Sequence, residues 1–102
     1  MPTLVWRAPM VYRSPRDEAA FFGWLSGVPG IVRVQGLGQE LHIHLRSLRL
    51  SASALRELLA IYHRYGGNLH ELAVFANDSN RSWFCSPEAE WHHAVFGNGA
   101  PA

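Results

Sequence analysis

Between residues 31 and 47, in "IVRVQGLGQELHIHLRS", apolar and polar residues take turns. Val32 and Val34 alternate with Arg33 and Gln35, Gly36 and Gly38 interrupt, and Leu41, Ile43 and Leu45 alternate with His42, His44 and Arg46. Period-two alternation on both sides of a glycine-containing loop predicts a β-hairpin. One face is apolar and the other reads Arg, Gln, His, His, Arg. The period then lengthens. In "SASALRELLAIYHRYGG" (51–67), Leu55, Leu58, Leu59, Tyr62 and Tyr65 recur at helical spacing, while Arg56, Glu57, His63 and Arg64 fall on the other side. That pattern predicts an amphipathic helix, and Gly66 with Gly67 supplies its left-handed stop. An earlier helix is predicted in "SPRDEAAFFGWLSG". Ser14 suits its N-cap, Pro15 its first position, and Asp17 with Glu18 the positive end of its dipole. Phe21, Phe22, Leu25 and Val28 share one broad face, and Gly27, Pro29 and Gly30 end the element.

Three segments complete the order. "PMVYRS" (9–14) reads as a short first strand on the β propensity of Val11 and Tyr12. "NLHELAVFAN" (68–77) carries two patterns. Asn68 with Glu71 resembles a capping box, and Leu69, Leu72, Ala73 and Ala76 fit one helical face. Leu72, Val74 and Ala76 also alternate, as a fourth strand would; helix is the preferred reading. "SPEAEWHHAVFG" (86–97) predicts a closing helix with Ser86 as cap, Pro87 at its first position, acids early, histidines late and Gly97 as stop. The order β-α-β-β-α, then a strand or helix, then a helix, implies a two-layer α+β domain: an antiparallel sheet with helices on one face. By element order alone it resembles a ferredoxin-like arrangement, which implies no function. Residues 1–97 form one domain and 98–102 a loose tail.

Composition narrows the chemistry. The 102 residues suffice for one core, since folding at this size removes about two-thirds of the unfolded chain's surface from water. No apolar run is long enough to span a bilayer, and the N-terminus lacks the apolar stretch of a signal peptide. Cys85 is the only cysteine, which excludes an internal disulfide and a cysteine-rich zinc site and fits a cytoplasmic protein. The nine cationic residues are all arginine. Without lysine there is neither a P-loop lysine nor a Schiff base, although arginine can still fork onto carboxylates and phosphates. Residues 31–64 hold five arginines against two glutamates, and residues 65–102 one arginine against four acids. That asymmetry gives one surface a sign but is too weak for a dedicated nucleic-acid binder.

The candidate chemistry centres on "LHIHL". Residues two apart on a strand share a face, so His42 and His44 point the same way. They are a weak candidate metal pair, since a stable zinc site needs three or four protein ligands. The flanking Arg33, Gln35 and Arg46 supply none, and Glu40 is read as out of phase with the pair unless the turn reorients it. General acid–base work would need an orienting carboxylate or a nucleophile, and no G-x-S-x-G, H-E-x-x-H or Gly-rich phosphate loop occurs. Cys85 precedes the proposed helix cap, where a thiol pKa can fall, but His92 and His93 lie too far along that helix to activate it. It reads as a small buried hydrophobe. His92 and His93, adjacent on a helix, diverge and suit its C-terminal end.

The C-terminal aromatics Trp83, Phe84, Trp91 and Phe96 read as core, with an exposed hot-spot patch beside Arg81 as the alternative. A single-stranded nucleic-acid platform would need aromatics on the open sheet face, where Tyr12 is the only candidate. The preferred function is therefore a non-catalytic protein-association module, acting on itself or another protein. It would use the open sheet face of Arg33, Gln35, His42, His44 and Arg46, with no cofactor. Protonating the histidines below about pH 6.5 would then weaken the contact by adding charge to an arginine-rich face. A small His-based enzyme, with or without a metal, and a weak nucleic-acid binder are the alternatives.

Overall fold

The computed structural model describes residues 2–97. Three strands, β1 (Thr3–Trp6), β2 (Ile31–Leu37) and β3 (Glu40–Leu45), form one sheet in the order β1-β3-β2. Both outer strands run antiparallel to β3 and hence parallel to each other. Helix α1 (Pro15–Ser26) connects β1 to β2, and α2 (Ala52–Tyr65) follows β3. The domain is α+β, with its core between the helices and one face of the sheet. A 3-10 helix (Leu69–Phe75) and two short helices, α3 (Arg81–Phe84) and α4 (His92–Phe96), finish the described chain. The tail read at 98–102 lies outside the described residues.

The first strand is not where sequence pattern places it. Residues 9–14 carry no regular structure, and Val11 is 80% exposed. The strand is "TLVW", whose alternation puts Leu4 and Trp6 in the core and Thr3 and Val5 on the other face. Prolines at 9 and 15 bracket the 9–14 segment and bias the residues before them toward isolated extended backbone. Helix α1 follows its signals closely. The Ser14 hydroxyl accepts from the Asp17 amide at 3.1 Å, and Asp17 accepts from the Arg13 amide at 3.0 Å. Phe21, Leu25 and Val28 are buried and Phe22 packs against them.

The hairpin closes through Gly38, whose φ of 63° suits a tight loop with the right-handed twist of its strands. Its register slips by one between Ile31 and Arg33. Ile31 pairs with Leu45 and Val34 with Ile43, leaving Val32 in the bulge and 51% exposed. Strict alternation had assigned Val32 to the apolar face. The bulge instead gives that place to Ile31.

Helix α2 buries Leu55, Leu58, Leu59, Ile61 and Tyr62, and Gly66 ends it with a φ of 75°. Gly67 has a different task. A Cβ there would lie 2.8 Å from the Trp6 indole and 2.5 Å from the Tyr62 ring, both fully buried. Only glycine lets the chain pass this close.

Residues 68–77 form no fourth strand. Leu72 and Phe75 are buried and Leu69 packs beside them, a spacing of three that matches the 3-10 turn. The closing helix is shorter than its sequence signals. The Ser86 hydroxyl accepts from the Glu88 amide at 3.3 Å and its carbonyl from Ala89 at 3.1 Å, forming a turn that goes no further. α4 opens only at His92, so the two histidines stand at its beginning rather than its end. Trp91, which precedes it, donates its indole N–H to the Phe84 carbonyl at 2.9 Å.

Candidate functional site

The face of the sheet opposite the core is built in rows fixed by strand register. Thr3, His44 and Arg33 lie side by side, as do Val5, His42 and Gln35. Arg33 and Gln35 are exposed, while His42 and His44 are half-buried between their neighbours. Arg46 lies one residue beyond β3. Its amide donates to the Gly30 carbonyl at 2.9 Å, and its side chain lines a shallow pocket of about 200 Å³ with Arg49, Leu50 and Ser51. The structure thus gathers Arg33, Gln35, His42 and His44 and sets Arg46 at their margin.

Glu40 is in phase with the histidines, contrary to the sequence reading. β3 opens at Glu40, so residues 40, 42 and 44 share a face from its first position. Glu40 Oε1 lies 3.2 Å from His42 Nε2, and Arg7 Nε sits 3.5 Å from Glu40 Oε2. Arg7, Thr3 and Val5 join the site because β1 is the edge neighbour of β3. The alternation of Leu4 and Trp6 in "TLVW" is the signal that would have found them.

One nitrogen of each histidine is engaged by a neighbour. His42 Nε2 contacts Glu40, His44 Nδ1 lies 3.3 Å from Thr3 Oγ1, and His44 Nε2 is buried without a hydrogen-bond partner. Zinc needs free imidazole nitrogens converging on one point. Here the neighbours of each ring hold it in place within the sheet. Among the described residues no three His, Cys, Asp or Glu side chains come together to hold a metal. The Arg7–Glu40–His42 chain orients an imidazole as general bases are oriented. Neither the shallow pocket beside Arg46 nor the groove between α2 and Trp91 has His42 in its lining.

The other candidates fall elsewhere. Tyr12 is not on the sheet; it packs against Phe21 and Phe22 at centroid separations of 5.9 and 6.2 Å. Its burial raises its pKa, with Glu18 and Asp17 adding to the effect. The outer sheet face therefore lacks the aromatic platform that single-stranded nucleic acid stacks on. Cys85 follows α3 instead of preceding a helix, so no N-terminal dipole acts on it. Burial pushes its thiol up despite the opposing Arg81. Phe84 and Phe96 are buried in the core, and Trp83 and Trp91 are half-buried at its margin, edge to face with a centroid separation of 6.1 Å.

A second concave feature was not legible as a site. Arg56, Leu59, Ala60 and His63 of α2 face Glu90, Trp91 and Ala94 across a groove of about 530 Å³, with Leu69 also lining it. The Arg56 guanidinium carbon lies 4.2 Å from the centroid of the Trp83 ring. No described helix is long and apolar enough to cross a membrane. Compared with known proteins, the chain matches no family model, no curated protein and no solved structure.

Proposed function

We propose that the chain is a small protein-association module that binds through the helix-free face of its sheet, to itself or to another protein. One observation carries the reading: Arg33 and Gln35 stand exposed beside the half-buried His42 and His44 on a face whose other side is the core. Val5 adds apolar surface within the same rows, and Leu37, 46% exposed, adds more at the end of β2. Arginine beside partly buried apolar surface is a feature that binding hot spots share. Each imidazole is steadied by one neighbour, Glu40 or Thr3, which suits a preformed contact surface. We also read the split β-α-β of the sheet as the first half of a ferredoxin-like arrangement, with the 3-10 helix in place of a fourth strand. A cytoplasmic setting fits the single unpaired thiol.

Arg33→Glu with Arg46→Glu tests the reading by reversing the charge of this surface and its margin. Light scattering and a pull-down should then show a lower mass or a lost partner relative to the parent protein. An unchanged mass together with an unchanged set of partners refutes it.

A further inference from the structure

The groove beside α2 lies apart from the sheet face and has the makings of a small-molecule site. Its volume of about 530 Å³ falls within the roughly 300–1,000 Å³ typical of such sites. One wall is a single stripe of α2, since Arg56, Leu59, Ala60 and His63 are spaced i, i+3, i+4 and i+7. The other wall is Glu90, Trp91 and Ala94. Trp91 is fixed by its bond to the Phe84 carbonyl and by its edge-to-face contact with Trp83. Both walls therefore stand on ordered elements.

Arg56 is the group whose chemistry is unused. Trp83 holds its guanidinium by the face, and among the described residues no carboxylate lies within ion-pair reach of it. A guanidinium stacked on an indole keeps its N–H edge free, and that edge fits a carboxylate through two parallel hydrogen bonds. A lone arginine, with the Glu90 carboxylate on the facing wall, suits one negative charge better than a dianionic phosphate.

We propose that this groove binds a small apolar molecule bearing one carboxylate. The carboxylate docks on Arg56, and the apolar body lies along Leu59, Ala60, Trp91 and Ala94. The site is independent of the association surface.

Decanoate is the probe and decanol its uncharged control, each titrated into the full chain with calorimetry and tryptophan fluorescence as readouts. Decanoate should bind one to one, and decanol about tenfold or more weakly, a difference of about 1.4 kcal/mol. Arg56→Gln should remove that preference, so that decanoate no longer binds more tightly than decanol. Glu90→Gln should tighten decanoate by relieving repulsion. Ala94 is exposed, so Ala94→Trp should fill the groove and abolish binding while circular dichroism stays that of the parent. Equal binding of the two probes, binding that survives Ala94→Trp, or no binding of decanoate at about 1 mM overturns the proposal.

Discussion

Residues 3–65 and residues 68–97 are held together by different means. The first region consists of strands and helices long enough for apolar side chains to recur on one face. Leu4, Trp6, Phe21, Leu25, Ile43, Leu45, Leu55, Leu58 and Tyr62 meet in one core. Apart from the part-buried Glu40–His42 contact, its side-chain polar contacts are caps and exposed pairs, such as the Trp24 indole donating to Glu57 at 3.0 Å between α1 and α2. The second region is a chain of short helices and turns. Its apolar residues are plugs (Leu72, Phe75, Phe84, Val95 and Phe96), and side-chain hydrogen bonds fix its path. Asn77 and Asn80 exchange bonds, with the Asn77 amide donating to Asn80 Oδ1 at 2.9 Å and the Asn80 amide to Asn77 Oδ1 at 3.1 Å. Asn80 also donates to the Phe75 carbonyl at 2.8 Å, and His70 Nδ1 lies 2.8 Å from the Val95 carbonyl. Periodic burial is spread over many residues and tolerates small errors. A path set by a few polar contacts fails when one is removed.

Trp6 sits on β1, the strand that contacts the 3-10 helix, and gives the largest expected effect. It is fully buried, edge-to-face with Phe21 at 5.3 Å and tilted on Tyr62 at 4.2 Å, with Gly67 pressed against its indole. Trp6→Ala should cost about 3–5 kcal/mol in urea unfolding, from lost burial and the cavity left behind. Far-UV circular dichroism and the fluorescence of the remaining tryptophans should keep one common midpoint. Separate midpoints would break the comparison by showing two regions that fold independently.

Asn80→Ala comes next and acts on the second region alone. Asn80 is the buried polar residue of the described chain, only 6% exposed. Removing its amide leaves the Asn77 N–H without its acceptor and takes one donor from the Phe75 carbonyl. The expected loss is about 1–3 kcal/mol. Hydrogen exchange should quicken first within 75–84 and leave the amides of α2 protected. Faster exchange spread evenly over both regions would show that the asparagine pair steadies the whole domain.

The same contrast explains what the sequence made legible. α1, α2 and the β2–β3 hairpin announce themselves, because a repeating face must be repeated in the sequence. The errors fall where a single residue decides. Val32 leaves the apolar face because one bulge shifts the register, and no periodic pattern encodes a slip of one. The closing helix begins at His92 because the turn opened at Ser86 closes on Ala89 and is not continued. The first strand was misplaced because four residues carry a shorter pattern than the six bracketed by prolines. At the candidate site, the shared face of His42 and His44 was readable from their spacing. Their commitment to Glu40 and Thr3 was not, since Thr3 reaches His44 only through the pairing of β1 with β3. The groove was hidden for a similar reason: its walls are about thirty residues apart in sequence, and nothing local links Arg56 to Trp91.

The smallest expected effect lies at the seam, where Tyr62 of α2 donates its hydroxyl to Glu71 of the 3-10 helix at 3.1 Å. Burial raises the pKa of both groups. For Glu71 the Tyr62 hydroxyl and the Arg7 amide work against that rise without cancelling it. A carboxyl whose pKa is higher folded than unfolded holds its proton more tightly in the native state. Its contribution to stability is therefore largest in acid and declines as pH rises through the unfolded value and then the folded one. Glu71→Gln keeps an oxygen to accept from Tyr62 and removes the charge. The variant should match the parent below about pH 4 and become the more stable protein by pH 7.5. The gain should stay below about 1 kcal/mol, because Glu71 is only half-buried. Melting temperatures of the pair at pH 4, 6 and 7.5 measure the trend. A variant that instead loses stability as pH rises would mean that the ionised Glu71, held by Tyr62 and the Arg7 amide, binds the two regions together, so that the seam rests on charge rather than on burial.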